Sequence, residues 1–354
     1  MLAELNISYG TGGNIFFGEY LGFLIATLLT GILADRFGLK SVILLAGFFL
    51  GIGVSGYSFF QSAILLSGSL FVLGLGLGAL ELGPNAIIVS LHHERKGLYL
   101  NLMAVFHGLG SLLAPLFAGW LLSLSISWRA IYRWDIFLIA FFVLIFIFQR
   151  FPEAEEKTRL DFRRIPEIAF KKQLPWFYAA IAFYVAVEIG MASWLVTFLQ
   201  DIRQTSVAAS NQSLSLFFAM LMTGRLLGGF FVQRVGYLRS ILIMAVGAML
   251  CIIAGLFGPK EISILFPMTG FFLSIMFPTI TAAVSDAHTE NANTILGVLF
   301  TFAGLGGVLG PWLIGWISDL LGLKTGFSII VLFMTAMLVS LIVLVKGEPY
   351  KKNT

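Results

Sequence analysis

Long apolar runs separated by short polar interruptions make up almost the whole chain. Each run is about 18–29 residues long, enough to cross a membrane as a helix that rises 1.5 Å per residue. The runs cover residues 13–34, 41–60, 63–91, 98–123, 131–149, 175–199, 210–233, 240–257, 262–286, 293–318 and 326–345. Their length favours helices over the shorter strands of a membrane barrel. The pattern predicts an all-α membrane protein with eleven spans.

Composition supports this prediction. Of the 354 residues, 58% are hydrophobic and 11% are charged, and the mean hydropathy is +0.95. A soluble domain has about 25% charged residues, so this chain could not cover a water-soluble fold. The single cysteine, Cys251, lies in an apolar run and offers no disulfide. We expect no metal site and no cofactor, and motifs of hydrolytic or nucleotide-binding enzymes do not occur. We therefore expect no enzyme activity.

One long polar stretch, RFPEAEEKTRLDFRRIPEIAFKKQ at 150–173, separates the fifth run from the sixth. It divides the chain into an N-terminal bundle (1–149), a linker (150–174) and a C-terminal bundle (175–354). Of the 22 Lys and Arg residues, sixteen lie in one alternate set of loops and tails, which includes this linker, and five lie in the other set. Basic loops stay cytoplasmic. The linker and the C-terminus are therefore predicted to be cytoplasmic, in a cell inner or plasma membrane.

Two stretches recur at nearly one offset. GILADRFGLKS (31–41) resembles GGFFVQRVGYLRS (228–240), and HGLGSLLAPLFAGWL (107–121) resembles AGLGGVLGPWLIGWI (303–317). An even number of spans separates the copies, so the halves are predicted to be parallel repeats. A six-plus-six frame places the eleven spans in slots 2 to 12. We expect one helix to be missing before residue 1; a natural eleven-span protein with an external N-terminus is the alternative.

The string GILADRFGLK resembles the major facilitator signature G-x-L-A-D-R-x-G-R-K, with Leu39 in place of the usual basic residue. The resemblance implies a major facilitator fold of two pseudo-symmetric helix bundles, with eleven of twelve helices present. It also implies a charge cluster that forms in one gating state and biases alternating access. Within the signature, the expected gating residues are Gly31, Asp35, Arg36 and Gly38. Two more arginines join them: Arg234, which the repeat aligns with Arg36, and Arg225 at a helix end.

Ionisable residues within apolar runs are candidate functional residues, because charge in hydrocarbon is costly. Glu81 lies about 15 Å from the end of its span, and the repeat places Ile275 opposite it, so symmetry does not require an acid there. Proton coupling or substrate binding is one interpretation and an interhelical hydrogen bond is the other. His107 lies at a matching depth, and Glu188 lies at middle to outer depth. Glu19 is shallower and is expected to reach the interface.

Three strings narrow the resemblance to the fucose- and glucose-type proton symporters. They are GALELGPNAI (78–87), LNLMAVFHGLGS (100–111) and FYVAVEIGMASWLVTFL (183–199). The resemblance implies a secondary active transporter that moves a small polar solute, a sugar, with protons. The site residues that it carries over are Glu81, Asn85, Asn101, His107, Tyr184, Glu188 and Trp194. For Trp194, stacking on a sugar and a place in the aromatic belt are equal alternatives.

Two other functions remain open. GSLLAPLFAG (110–119) resembles the antiporter string G-x-x-x-G-P-x-x-G-G, which would make the chain a proton-driven exporter of amphipathic compounds, although Ala114 and Ala118 replace glycines. A transport-inactive membrane sensor or truncated relic is the third interpretation. The expected partners are membrane lipid, a small-molecule substrate and protons, without nucleic acid, and the expected state is a monomer.

Overall fold

The computed structural model describes residues 2–91, 96–149, 151, 170, 171, 173–287 and 292–347. The chain forms two compact units. Unit 1 contains Met1–Arg159 and Pro311–Leu320, and unit 2 contains Leu160–Gly310 and Leu321–Thr354. The linker predicted at 150–174 lies almost entirely outside the described residues.

Unit 1 is built mainly from four long helices. A short helix α1 (Leu2–Leu5) precedes them, and the long helices are α2 (Tyr9–Phe59), α3 (Ala63–Leu91), α4 (Lys96–Ser123) and α5 (Trp128–Phe148). The spans predicted at 13–34 and 41–60 are two arms of α2, which breaks at Gly38, where φ is 79° and ψ is 158°. Residues with a Cβ atom rarely adopt this backbone conformation, so a glycine is the residue that allows the turn between the two arms.

Unit 2 contains the helices of the second bundle. They are α6 (Leu174–Asp201), α7 (Val207–Val235), α8 (Tyr237–Phe257), α9 (Leu265–Leu273), α10 (Met276–Ala287), α11 (Ala292–Leu321, whose last part belongs to unit 1) and α12 (Leu323–Lys346). A 3₁₀ turn at Lys260–Ile264 leads into α9. The single span predicted at 262–286 breaks between α9 and α10. Pro278 explains the break, because it offers no N–H to the carbonyl of Ser274 and its ring crowds that carbonyl.

Glycines bring α2 and α3 into close backbone contact. A Cβ atom at Gly22 would collide with the carbonyl oxygen of Phe71, and one at Gly74 would collide with the carbonyl oxygen of Glu19. Such small-residue contacts are the usual means by which membrane helices approach each other. They fix the first arm of α2, and Glu19 on it, against α3.

The core of unit 2 surrounds α6. Phe198 on this helix stacks on Phe327, with ring centroids 4.5 Å apart, and meets Phe266 edge-on at 5.6 Å. All three rings are fully buried, so they hold α6 against α9 and α12. The packing makes α6 a rigid support for the polar residues on it.

Within the part of the chain that the structure describes, eleven helical stretches are long and apolar enough to cross a membrane, and no strand occurs. This confirms the prediction of an all-α membrane protein.

Candidate functional site

An ion pair joins the middle of α6 to α7. The guanidinium Nη2 of Arg225 lies 3.8 Å from the carboxylate Oε1 of Glu188, with side-chain exposures of 45% and 16% respectively. The sequence places Arg225 at a helix end, but the structure places it ten residues before the end of α7 at Val235. That position, inside the span Val207–Val235, corrects the expectation: Arg225 is a charge within the membrane-spanning part of unit 2.

Tyr184 completes this polar group. It lies one helical turn before Glu188, so both side chains share a face of α6. Its hydroxyl group is buried beside Glu188 and Arg225, and among the described residues none meets it with standard hydrogen-bond geometry. A buried hydroxyl group in this state can still donate or accept a hydrogen bond. The three side chains therefore offer a carboxylate acceptor, a guanidinium donor and a hydroxyl group at one place.

The break between α9 and α10 lies against the same part of α7. A Cβ atom at Gly224, next to Arg225, would collide with the hydroxyl oxygen of Ser274, and one at Gly228 would collide with the side chain of Ile275. The Ser274 hydroxyl donates a 2.6 Å hydrogen bond to the carbonyl of Phe271. Nothing in the spacing of residues along the chain indicates that this break packs beside Arg225.

The predicted residues of unit 1 lie on two helices. Glu81 on α3 and His107 on α4 are both exposed. The side chains of Asn85 and Asn101 lie outside the described residues, so their predicted place in the site stays a prediction. On α6, Trp194 is 1% exposed, so its side chain is buried; the two roles predicted for it, stacking on a sugar and a place in the aromatic belt, stay predictions.

Several of the predicted gating residues lie at or beside two turns that the repeat aligns, one in each unit. Gly38 in unit 1 and Gly236 in unit 2, which the repeat aligns, both have positive φ, 79° and 89°. Arg36 is exposed, with its guanidinium 5.3 Å from the centre of the Phe37 ring, and Arg234 is exposed in the last turn of α7. The surroundings of Gly31 and of the Asp35 side chain are outside the described part of the structure. The charge cluster itself remains a prediction.

Sequence reasoning missed the surroundings of Glu19. The structure places this residue close to Tyr57 and Tyr132 inside unit 1, within electrostatic range of both hydroxyl groups. The two tyrosine rings lie 4.9 Å apart, edge to face. The span begins at Tyr9 rather than at residue 13, so Glu19 lies ten residues inside it; the expectation that Glu19 is shallow and reaches the interface is therefore wrong. Nothing in the spacing of these residues along the chain signals the cluster.

Comparison with known proteins places the whole chain in one family. The family model of the Major Facilitator Superfamily matches residues 1–266 and 259–354. A glucose/galactose transporter of Brucella abortus is 26% identical over 341 residues, which are 88% of this chain and 79% of that protein. The L-fucose-proton symporter of Escherichia coli is 22% identical over 343 residues, 86% and 77% of the two chains.

A solved structure gives the same picture of the fold. The crystal structure of the nucleoside transporter NupG matches with a TM-score of 0.78 at 15% identity, over 99% of this chain and 93% of that one. These relatives are transporters rather than enzymes, which confirms the prediction that the chain is not an enzyme. They also confirm the resemblance to major facilitator proteins and to sugar symporters.

Proposed function

The chain belongs to the Major Facilitator Superfamily of membrane transporters, and we propose that it moves a small polar solute, a sugar, by proton-coupled alternating access. The single observation that carries the proposal is the group formed by Tyr184, Glu188 and Arg225 within the spans of unit 2. The names of the two sugar-transporting relatives support the choice of substrate.

The ion pair suits proton coupling for a simple electrostatic reason. A carboxylate and a guanidinium inside a membrane stabilise each other, and a proton on Glu188 cancels that attraction. Protonation then frees Arg225 from its partner. Because Arg225 and Glu188 lie on different helices, a change in their attraction alters the preference between two helix arrangements. A proton on Glu188 is thus linked to the conformational change that transport requires.

The same group suits a sugar. A sugar presents several hydroxyl groups, each of which donates and accepts hydrogen bonds. The guanidinium of Arg225 donates, the carboxylate of Glu188 accepts and the Tyr184 hydroxyl does either. Hydrogen bonds to charged groups contribute about 1.5–3 kcal/mol each, so two or three of them discriminate a polyol from an apolar solute.

Other predicted residues extend the proposal. We include Glu81, Asn85, Asn101 and His107 of unit 1 and Trp194 of unit 2 as further binding or coupling residues, on the strength of the symporter strings that contain them. Gly31, Asp35, Arg36, Gly38 and Arg234 are proposed as gating residues. The distribution of basic residues supports a cytoplasmic C-terminus in an inner or plasma membrane, and we propose a monomer as the working unit.

The test is transport in liposomes that contain the purified protein. Uptake of labelled glucose, galactose and L-fucose is measured with and without an inward proton gradient, and equilibrium binding of each sugar is measured in parallel. We expect sugar accumulation that depends on the gradient. In Glu188→Gln, which keeps the shape and removes the proton site, we expect accumulation to fall to the level of empty liposomes. Glu261→Gln, at an exposed acid outside the site, is the matched control and should behave as the unchanged protein.

Two results would contradict the proposal. Unchanged accumulation with an unchanged proton-to-sugar ratio in Glu188→Gln would remove Glu188 from the coupling step. Absence of both binding and uptake of all three sugars would remove the sugar as the substrate class and favour the exporter or sensor interpretations.

A further inference from the structure

A group of polar side chains lies in the interior of unit 1. Glu19 is one turn of α2 beyond Ile15, so the two side chains share a face of the helix. Ile15 is 1% exposed and lies in one apolar cluster with Tyr57, and Tyr132 packs against that cluster. The position of Ile15 therefore places Glu19 on the side of α2 that faces the interior of the bundle, where the hydroxyl groups of both tyrosines are within electrostatic range.

Unit 2 has an apolar residue at the position of Glu19. A Cβ atom at Gly74 would collide with the carbonyl oxygen of Glu19, and one at Gly270 would collide with the carbonyl oxygen of Phe217. The same backbone contact thus recurs in both units, and it aligns Glu19 with Phe217. Because the Phe217 side chain is fully buried, this position faces the interior, and packing alone does not require an acid there.

Apolar residues also replace both tyrosines in unit 2. The alignment of the strings GILADRFGLKS and GGFFVQRVGYLRS, continued along the helix that follows, places Leu256 opposite Tyr57. Tyr132 and Phe327 are the fifth residues of α5 and α12 respectively. Leu256 and Phe327 are both buried. These positions can therefore be packed without polar groups, so the polar side chains of unit 1 have another role.

The two tyrosines connect Glu19 with one end of unit 1. Their rings lie 4.9 Å apart, and the Tyr57 hydroxyl group is within electrostatic range of Arg129. The Arg129 side chain is 13% exposed and pairs at 3.2 Å with Glu4, which is 49% exposed. This is the end at which α5 and the first arm of α2 begin, and the distribution of basic residues predicts that it is external.

The nearest basic side chain is engaged elsewhere. Arg129 pairs with Glu4 and donates a 2.9 Å hydrogen bond to the carbonyl oxygen of Phe60. Within the part of the chain that the structure describes, Glu19 forms no ion pair. Its carboxyl group can therefore accept hydrogen bonds from hydroxyl groups when it is ionised, and it can become neutral without breaking an ion pair.

The other titratable groups on the helices around Glu19 are few. On α5, Asp135 lies within electrostatic range of Tyr132. On α3, the residues that precede Glu81 include no titratable side chain. The segment of α11 that belongs to unit 1 brings Asp319 against the start of α2, nine positions before Glu19. The tyrosine hydroxyl groups are thus the groups through which a proton can reach Glu19.

We propose that Glu19 is a proton-binding residue and that Tyr57 and Tyr132 connect it with the end of unit 1 at which Arg129 and Glu4 lie. A hydronium ion gives a proton to a tyrosine hydroxyl oxygen while that hydroxyl group gives its own proton to Glu19. The products are water, an unchanged tyrosine and a neutral carboxyl group. A hydroxyl group can carry out both steps because it donates and accepts hydrogen bonds.

The use of this site in transport rests on the proposed proton coupling, whereas the binding of a proton does not. An ionised Glu19 in the interior depends on the tyrosine hydroxyl groups, and a neutral Glu19 depends on them less. A proton on Glu19 therefore alters the preference of the first arm of α2 for its present packing against α3 and α5.

The first test measures the proton directly. Infrared spectra of the purified protein are recorded during a pH titration, in which the C=O stretch of a protonated carboxyl group reports a bound proton. Glu19→Gln keeps the size of the side chain and removes the proton-binding group. Glu261→Gln, at an exposed acid of the 3₁₀ turn, is the matched control. Circular dichroism checks that each variant is folded.

We expect a titrating carboxyl band that is lost in Glu19→Gln and kept in Glu261→Gln. In the double variant Tyr57→Phe, Tyr132→Phe, which keeps both rings, the band should remain but shift in frequency, because the carboxyl group loses its hydrogen bonds. This variant tests the proposal even where Glu19→Gln does not fold. Identical titrating bands in Glu19→Gln and the unchanged protein would overturn the proposal. A band that the double variant leaves unshifted would remove the tyrosines from it.

Transport in liposomes shows whether coupling uses this proton. Glu19→Gln is a neutral mimic of the protonated state. We expect gradient-driven accumulation of sugar to be lost and exchange of labelled for unlabelled sugar to continue, because exchange needs no change in the charge at this position. Accumulation with an unchanged proton-to-sugar ratio would exclude Glu19 from coupling. If the unchanged protein moves no sugar, the proposed function fails, whereas the infrared band still decides whether Glu19 binds a proton.

Discussion

Helices α4 and α11 carry nearly the same string but occupy different surroundings. In α11 the glycine pair packs against the backbone of α6. In α4, within the part of the chain that the structure describes, a Cβ atom added at the matching Gly110 meets nothing within 4 Å, and Ala114 is exposed. The comparison of these two helices shows that a small-residue motif only permits another helix to approach closely. The stabilisation comes from the partner helix, which the motif does not specify.

The polar residues of the two units differ in a similar way. In unit 2, Glu188 and Arg225 on neighbouring helices compensate each other. In unit 1, Glu81 and His107 are exposed, and Glu19 lies within electrostatic range of two tyrosine hydroxyl groups. Glu188 therefore lies beside a counter-ion on a neighbouring helix, whereas Glu19 lies near tyrosine hydroxyl groups.

The largest expected effect comes from filling the matched glycines. Gly306→Leu forces a branched side chain into the position of the Ala182 carbonyl, so α6 and α11 must separate. We expect a loss of about 3 kcal/mol in the free energy of unfolding, the upper part of the range for overpacked sites. Unfolding in mixed detergent micelles, followed by circular dichroism, measures it.

Gly110→Leu in the 354-residue chain is the matched control. Since nothing lies within 4 Å of an added Cβ atom at Gly110, the expected change is within about 0.5 kcal/mol. Similar losses for the two substitutions would show that Gly110 is packed as closely as Gly306, and the contrast between α4 and α11 would fail.

The prediction from sequence succeeded where the signal is local. Apolar length predicted eleven spans, and the polar break between the runs 13–34 and 41–60 falls where α2 turns at Gly38. It failed where the partner is distant along the chain. Arg225 is 37 positions from Glu188, and no periodicity links them. For Glu19, the predicted depth was too shallow, because the span begins at Tyr9 rather than at residue 13, and its neighbours depend on how α2 packs against α3 and α5.

A smaller effect is expected from the ion pairs, and again the units differ. Arg225→Gln leaves the largely buried Glu188 without a counter-ion. We expect a cost of about 2 kcal/mol, below the 3–5 kcal/mol of a fully buried pair because the Arg225 side chain is 45% exposed. The double variant with Glu188→Gln should recover most of this loss, and the same unfolding measurement gives the coupling energy of the cycle.

The control cycle uses the pair in unit 1 between Arg129 and Glu4. Its atoms are closer, at 3.2 Å, but Glu4 is 49% exposed and lies beside the start of α5, so its coupling energy should be about 0.5 kcal/mol. A larger coupling for this pair than for Glu188 and Arg225 would mean that distance outweighs burial in this protein.

The smallest effect concerns the turns, where the two units are expected to behave alike. Gly38→Ala and Gly236→Ala each place a Cβ atom on a backbone with positive φ, 79° and 89°, although neither position has an atom within 4 Å of that Cβ. The cost is thus conformational rather than steric contact, about 1 kcal/mol each. Gly229→Ala, at a helical site with equal free space, should be neutral or stabilising, because alanine favours a helix by up to about 1 kcal/mol over glycine. Equal losses at Gly38 and Gly236, with none at Gly229, would show that the two copies of the repeat share the same backbone conformation at this turn. A loss at only one of the two glycines would show that the copies resemble each other in sequence but not in the conformation of the turn.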